Sequence, residues 1–472
     1  MLPPLLRGTR EVSRPFLRCT NFASPFVPSL ISSRLTGIKE EPLDDSAWEA
    51  ALVNELQSLR QSVNDEALLS LASSLHNGVK CWLDSEDPLG RSMLGGMNVH
   101  LPIHFADGTR WLARIQRANH TIFPDDITNE IITSESATLK WLEGIEGLPT
   151  PRLHAFGLRN HPSNDVGVAY MLIDELPGRP FIADVVSLEQ KQKVFAALAR
   201  ILTRLEESPL ERIGSLTFGL AGEVYVGPTA SDRTGTLTHL GPFHDAAAYY
   251  ESWCEEHLKL IADHQLFVKF PLHAYMVFSF LKDKAQAGKL DDFDGKYERG
   301  PFVLKHTDDK GDHILVDDDF NITGLIDWTF ARVVPAYEAT GPSLVTANLD
   351  DLYEGRSGLG ADDRMLEAAL VELGSPLAGA YSRSSDKLRR FFLALGMGMD
   401  MDWDETKKLL QGLVVTFGDK RGAIDLDERF SEDMTSYRED ARFTALLHDL
   451  QNTEGAEADV ASKLIADFGN IT

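Results

Sequence analysis

The segment His306-Thr307-Asp308-Asp309-Lys310-Gly311-Asp312-His313 concentrates carboxylates, imidazoles and an ammonium group in a stretch too irregular for a helix or strand, and Ile326-Asp327-Trp328 follows a little downstream. Between them, Ile314-Leu315-Val316 and Ile322–Ile326 read as two short strands joined by the acidic turn Asp317-Asp318-Asp319-Phe320-Asn321. Asp308 precedes the first strand and Asp327 ends the second, so an antiparallel return brings both carboxylates toward one point. There they repel unless a cation lies between them. That arrangement suits Mg²⁺ and a phosphate chain. Phosphoryl transfer asks for an aspartate to orient the acceptor hydroxyl, a second aspartate on the metal, and positive charge on the phosphates. Asp308 and Asp327 fit the first two demands, and Lys310 is the candidate for the γ-phosphate.

Other elements have to hold this segment. Met97, Val99, Leu101, Ile103 and Phe105 alternate with polar residues, Asp107-Gly108 breaks the run, and Thr109–Gln116 continues it, which predicts a β-hairpin. Pro102 is expected at an edge or a bulge. Ile132–Leu142 has helical spacing, with Glu135 on the face of Leu139 and Leu142. A carboxylate on an apolar stripe requires a partner, and Arg114 in the strand Trp111–Gln116 is the candidate. Val168–Ile173 is a short apolar strand that ends in Asp174-Glu175-Leu176-Pro177-Gly178. Upstream, Ser46 and Glu49 form a capping-box pair for a helix with Trp48, Leu52, Leu56, Leu59 and Val63 on one face. Beyond Pro180 the chain is mostly helical, with stretches at Glu189–Glu206, His244–His264 and Pro271–Ala287, and the hairpin after His313 is the expected β interruption.

These motifs resemble the aminoglycoside phosphotransferase and choline kinase family, with its His-x-Asp-x-x-x-x-Asn loop, short hairpin and Ile-Asp-Trp. Glu135-Ser-Ala-Thr-Leu-Lys-Trp-Leu142 is similar to the family's glutamate-bearing helix, Gly147-Leu-Pro-Thr-Pro-Arg-Leu-His-Ala-Phe-Gly157 to the strand entry after it, and Tyr170-Met-Leu-Ile-Asp-Glu-Leu-Pro-Gly178 to the hinge. The likeness covers roughly Gly95 to Pro335, and the wording of 95–120 and 301–346 resembles fungal members of uncharacterised function. It implies an α+β, bilobal protein-kinase-like fold with a small β-rich N-lobe (91–173), a hinge (174–180) and a large, mainly helical C-lobe (181–472), preceded by a leader (1–40) and a helical lead-in (41–90). ATP is then expected in the cleft, with Mg²⁺ or Mn²⁺. Asp308 orients the nucleophile and His306 steadies the loop. Asp327 and His313 hold metal, and Arg114 takes the place of the kinase lysine that contacts phosphates and pairs with Glu135. The backbone around Asp174, Glu175 and Leu176 meets the adenine edge, and Gly95-Gly96 forms a phosphate-covering turn or a plain one.

The chain departs from the family pattern in two places. Arg114 replaces a lysine, keeping the charge but not the compact ammonium. His313 stands where the family has the asparagine for the second metal ion. Imidazole is a poor ligand for hard Mg²⁺ and suits Mn²⁺ better. An ATP-dependent phosphotransferase acting on a small-molecule hydroxyl is therefore the leading expectation, with a pseudokinase serving as a binding or regulatory module as the alternative. A protein kinase is disfavoured, since Asp327-Trp328 replaces Asp-Phe-Gly and no Ala-Pro-Glu follows.

Composition bounds the remaining classes. The 472 residues carry a formal charge of −26, which disfavours a nucleic-acid partner and mildly favours a cationic acceptor. No run of eighteen apolar residues suggests a membrane span. Cys19, Cys81 and Cys254 encode neither a disulfide framework nor a zinc ribbon. The first 38 residues have Arg7, Arg10, Arg14, Arg18 and Arg34 against the lone acid Glu11, with several serines, the composition of a mitochondrial transit peptide or of an unstructured leader. Asp317-Asp318-Asp319 reads as a solvated tip, Met397, Met399, Met401 and Trp403 as core filling, and Cys254 as packed in a helix. Neither the acceptor's identity nor the oligomeric state is encoded legibly.

Overall fold

The computed structural model describes residues 45–469, apart from 85–86, 88–89, 118–122, 232–238, 289, 291–297, 309–310, 357, 376, 379–385, 396–402, 418–433 and 454–455. The leader, Cys19, the three methionines and Lys310 lie outside the described residues, as does the side chain of Trp403. The described residues divide into two compact units. One runs to Ser136 and includes Pro151–Glu175, and the other comprises Ala137–Thr150 and the chain from Leu176 onward. The class is α+β, a β-rich unit and a larger, mainly helical one. Among the described residues no helix is long and apolar enough to cross a membrane.

The first unit is built on a five-stranded antiparallel sheet in the order β1-β2-β3-β5-β4, from β1 (Cys81–Leu83), β2 (Asn98–Phe105), β3 (Arg110–Gln116), β4 (Leu153–Gly157) and β5 (Tyr170–Asp174). The β2–β3 hairpin has the expected alternation. Val99, Leu101, Ile103 and Phe105 share one buried cluster with Trp111, Ala113 and Ile115. Leu56, Leu59 and Val63 of α1 (Asp45–Ser62) and Leu68 and Ala72 of α2 (Asp65–Leu75) belong to the same cluster, so these helices and the sheet share one core. Of the expected face of α1, Leu52, Leu56, Leu59 and Val63 pack here, and the side chain of Trp48 lies outside the described residues. Ser46 lies inside the helix, however, because Asp45 is already helical. Helix α2 is capped by Asn64, whose side chain accepts from the Ala67 amide.

Pro102 sits opposite Leu112 of β3, while β1 pairs only as far as Ile103. Its carbonyl accepts from the Asp84 amide, on the side where β1 has run out. β2 is paired on both sides, so the expected edge is not found; the nitrogen that cannot donate points the same way as the carbonyl, toward the end of β1, where that ladder stops.

Helix α3 (Asp125–Leu142) begins seven residues before the apolar spacing becomes regular, led by Asp125 and Asp126 in a first turn that favours acids. In the second unit, helices α4 (Leu188–Glu206), α5 (Ala246–Ala262) and α6 (Pro271–Gln286) fall where helical spacing predicts them. Ser187 and Gln190 form a true capping box on α4. The expectation of a single β interruption in this mainly helical unit needs correction. Besides β10 (Ile314–Val316) and β11 (Ile322–Leu325), which are joined at β10 by β6 (Arg179–Pro180), it contains the ladders β7 (Leu216–Phe218) with β8 (Val224–Val226) and β9 (Phe302–Lys305) with β12 (Arg332–Pro335). Strands of three or four residues are too short to establish a period of two.

Candidate functional site

In the second unit the catalytic-type loop hangs between β9 and β10. Gly311 has φ +100°, a conformation that a side chain would strain, and it turns the loop into β10. His306 donates from Nε2 to the Ile326 carbonyl at 2.8 Å, tying the loop to the residue before Asp327. Because a carbonyl only accepts, the proton sits on Nε2. Burial, reinforced by His313, pushes the His306 pKa below the usual imidazole range. The ring held this way lies 4.7 Å from the buried Trp328 ring.

His313 is the hub. Its Nδ1 donates to the Asp308 carbonyl at 2.9 Å, and the same nitrogen lies 3.8 Å from Asp308 Oδ2. Its Nε2 lies 3.5 Å from Asp327 Oδ2 and 4.0 Å from Asp312 Oδ1. The strands do what the sequence predicts: Ile314 pairs with Leu325, and the Ile326 amide donates to the His313 carbonyl, so Asp308 and Asp327 converge on one imidazole. Asp327 itself has φ +60°, and Phe330 three residues on has φ +62°. A left-handed non-glycine residue at such a place is held by its surroundings, here through Thr329 Oγ1 donating to Asp327 Oδ1 at 2.8 Å.

The Asp317 turn is structural. The Asp317 carboxylate accepts from the Asp319 and Asn321 amides and from Asn321 Nδ2, and these bonds hold its pKa below the usual range. Asp318 and Asp319 are exposed, as a solvated tip requires. Cys254 is fully buried, and burial pushes its thiol well up, so it is packed and unreactive.

Mg²⁺ characteristically takes one or two carboxylates plus phosphate oxygens and water. Asp327, whose carboxylate is 37% exposed, fits that demand. With Nδ1 committed to the Asp308 carbonyl, Nε2 is the His313 nitrogen that faces Asp327, and an imidazole nitrogen is a donor suited to Mn²⁺. Among the described residues no group of three or more His, Cys, Asp or Glu is placed to hold a metal ion by itself.

The loop also borders a cavity open to solvent, whose space, the open mouth included, is about 650 Å³. His306, Asp308 and His313 lie on its wall, and Leu198, Ile201 and Leu205 of α4, with Leu304 and Trp328, make most of the rest apolar. Sequence reasoning missed one charged group there. Lys305 lines the cavity and reaches Glu338 Oε1 at 3.6 Å, while Tyr250 donates to Glu338 Oε2 at 3.0 Å. Burial raises the Glu338 pKa against the opposing pull of Lys305 and Arg332. The available signal was a lysine at the end of the apolar run Phe302-Val303-Leu304.

In the first unit, Arg114 and Glu135 meet as expected. Nη1 of Arg114 donates to Glu135 Oε1, and both side chains are 5% exposed. The period of two explains the encounter: odd-numbered residues of β3 face α1 and α2, so Arg114 emerges on the opposite face. With its amide oriented to match, Asn98 accepts from Arg114 Nε at 3.2 Å and Nη2 at 2.8 Å. Much of the guanidinium fork is therefore spent on protein partners.

At the end of β5 the Asp174 amide donates to the Arg152 carbonyl and the Glu175 amide to the Arg110 carbonyl. The Asp174 carboxylate accepts from His154 Nε2 at 2.7 Å, and Glu175 pairs with Arg110 at 2.8 Å. The expectation for this segment is thereby narrowed, since those two amides are not available to an adenine edge. The carbonyls and Leu176 remain for that role. In the second unit Leu176 packs against Gly324, where an added Cβ would lie 2.9 Å from the leucine.

Gly95-Gly96 does form a turn: the Gly95 amide donates to the Asn98 carbonyl, and Leu94 bridges Val99. Arg117, which sequence reasoning missed, donates from Nη1 to the Gly95 and Gly96 carbonyls at 3.1 and 3.3 Å.

Residues 106–340 match the model of a family described as the phosphotransferase enzyme family. No curated protein matches the chain. Among solved structures, macrolide 2′-phosphotransferase MphH from Brachybacterium faecium is 16% identical at a TM-score of 0.37, with 76% of this chain and 99% of that one covered. Aminoglycoside phosphotransferase APH(3″)-Id from Streptomyces rimosus, in complex with ADP and streptomycin, is 16% identical at 0.37, covering 70% and 97%. The ternary complex of APH(2″)-IIa with streptomycin and ATP is 11% identical at 0.42, covering 80% and 99%.

Proposed function

Residues 106–340 belong to the phosphotransferase enzyme family, and from that premise we propose that the chain transfers the γ-phosphoryl group of ATP to a hydroxyl of a small molecule. The observation that carries the reading is the convergence of Asp308 and Asp327 on His313. Asp308, whose carboxylate is 11% exposed and borders the cavity, orients the acceptor hydroxyl and takes its proton. His306 fixes the distance between the loop and the Asp327 turn. A divalent cation, when bound, neutralises charge on the phosphates; Asp327 supplies its carboxylate oxygen and His313 its imidazole nitrogen. Lys310 follows Asp308 at a spacing suited to the γ-phosphate. Arg114 presents to phosphate whatever donors Glu135 and Asn98 leave, and chiefly locks β3 to α3.

The test is the thermal midpoint of the full chain with ATP alone, with ATP and Mg²⁺, and with ATP and Mn²⁺. A ligand at a hundredfold excess over its Kd adds about 2.7 kcal/mol. A metal-dependent rise is expected, larger with Mn²⁺ if His313 is a ligand, and no rise with either metal overturns the reading. The 3.5 Å approach of His313 Nε2 to Asp327 also supports a second reading, a pseudokinase in which a protonated imidazole replaces the cation. Under it no metal response exists in the native chain or in His313→Asn.

A further inference from the structure

Arg117 lies just past β3, and its backbone amide donates to the Met97 carbonyl. Its guanidinium does two things at once. Nε and Nη2 grip Glu55 of α1 at 2.8 and 2.6 Å, and Nη1 grips the carbonyls of Gly95 and Gly96. The pair is buried, Arg117 at 6% and Glu55 at 3% exposure, so the guanidinium cannot swing away without stranding a carboxylate. Arg91, in the turn before Gly95, pairs with Glu49 of the same helix at 2.6 Å. One helix thus braces the approach to the glycine turn and its far side.

This bracing sets the direction of the turn's amides. A trans peptide points its carbonyl and its N–H oppositely. With the Gly95 and Gly96 carbonyls drawn onto Arg117, the N–H groups of Gly96 and Met97 point away from it. Two successive amides turned outward from a fixed turn are backbone donors that one anion can meet together. Gly96 is exposed, and a Cβ there would meet nothing within 4 Å, so a ligand has room to approach the backbone.

We propose that α1, which lies outside the family-matched residues, is a positioning element for nucleotide: through Glu55 and Arg117 it holds the Gly95–Met97 turn so that the Gly96 and Met97 amides meet a phosphate of ATP. The proposal rests on the phosphotransferase reading. Glu55 and Arg117 are positioning residues and touch no ligand.

The experiment uses the full chain, with ATP and Mg²⁺ or Mn²⁺ as the probe, and reads the Kd by titration calorimetry beside hydrogen exchange at residues 95–97. Glu55→Gln removes the charge that holds Arg117. The double variant Glu55→Leu with Arg117→Met replaces the pair by apolar groups and keeps a folded protein if the first does not. Both should weaken ATP by roughly tenfold and speed exchange at the turn, with the rest of the sheet unchanged. Native affinity in a folded variant overturns the proposal, as does unaltered exchange at the turn. Absence of ATP binding by the native chain overturns the phosphotransferase reading and the nucleotide role of α1 together, an outcome distinct from native binding that the variants preserve.

Discussion

The two units treat charge in opposite ways. Around the sheet, Arg114 meets Glu135 and Arg117 meets Glu55, all four side chains at most 6% exposed, each cation with its own carboxylate and further bonded to Asn98 or to glycine carbonyls. Around the catalytic-type loop, three carboxylates gather within 4.0 Å of the single imidazole of His313, and Asp312 and Asp327 are 43% and 37% exposed. The first pattern neutralises itself, and its product is rigidity. The second gathers carboxylates of higher exposure around one imidazole, at a turn whose aspartate is held at φ +60°. Like charges brought together in this way cost stability that some other interaction must offset. Buried, paired charge therefore reads as scaffold, and the carboxylates gathered in the loop as the candidate for chemistry.

The largest expected effect falls on the loop. Asp308→Asn should lower ATP-dependent phosphate transfer by about a thousandfold, equivalent to about 4 kcal/mol of transition-state stabilisation, while leaving the urea midpoint unchanged or slightly raised. Asp327→Asn should likewise leave the fold intact and abolish the metal-dependent rise in thermal midpoint. A loss of stability with turnover intact in either variant would show that these carboxylates are scaffold and erase the contrast.

Next in size is the sheet. Glu135→Gln leaves the Arg114 guanidinium buried without its counter-charge, and should cost about 3–5 kcal/mol in urea unfolding. The double replacement Arg114→Met with Glu135→Leu should recover most of that loss, because an apolar pair of similar volume removes the stranded charge. If Glu135→Gln were as stable as the native chain, the pair would not be the strut that its 5% exposure indicates.

This contrast also decides what the sequence could reveal. Asp308, His313 and Asp327 were legible because a loop and a tight hairpin fix their separation within about twenty residues, a local geometry that a single sequence carries. Arg114 with Glu135 was legible because strand and helix periods each assign a face. The Glu55–Arg117 pair was not: its members are 62 residues apart, and neither position is marked by anything but charge. The amides of Asp174 and Glu175 illustrate a second limit, since backbone donors leave no trace in residue type and their partners at Arg152 and Arg110 depend on strand pairing. The β7–β8 and β9–β12 ladders were hidden for a third reason, being too short to show a period.

The smallest effect concerns His313 and sharpens the contrast most. Its Nδ1 is committed to the Asp308 carbonyl, so only Nε2 faces the carboxylates. If that nitrogen shares a cation with Asp327, His313→Asn replaces a borderline donor by a hard oxygen and should shift the ratio of Mg²⁺- to Mn²⁺-supported turnover by about tenfold toward Mg²⁺. Metal titrations at fixed ATP read this ratio directly. Because both metals are compared in one variant, a general loss of activity cancels. An unchanged ratio would remove His313 from the metal and make it a spacer that holds Asp308 and Asp327 apart, leaving the cation to the carboxylates.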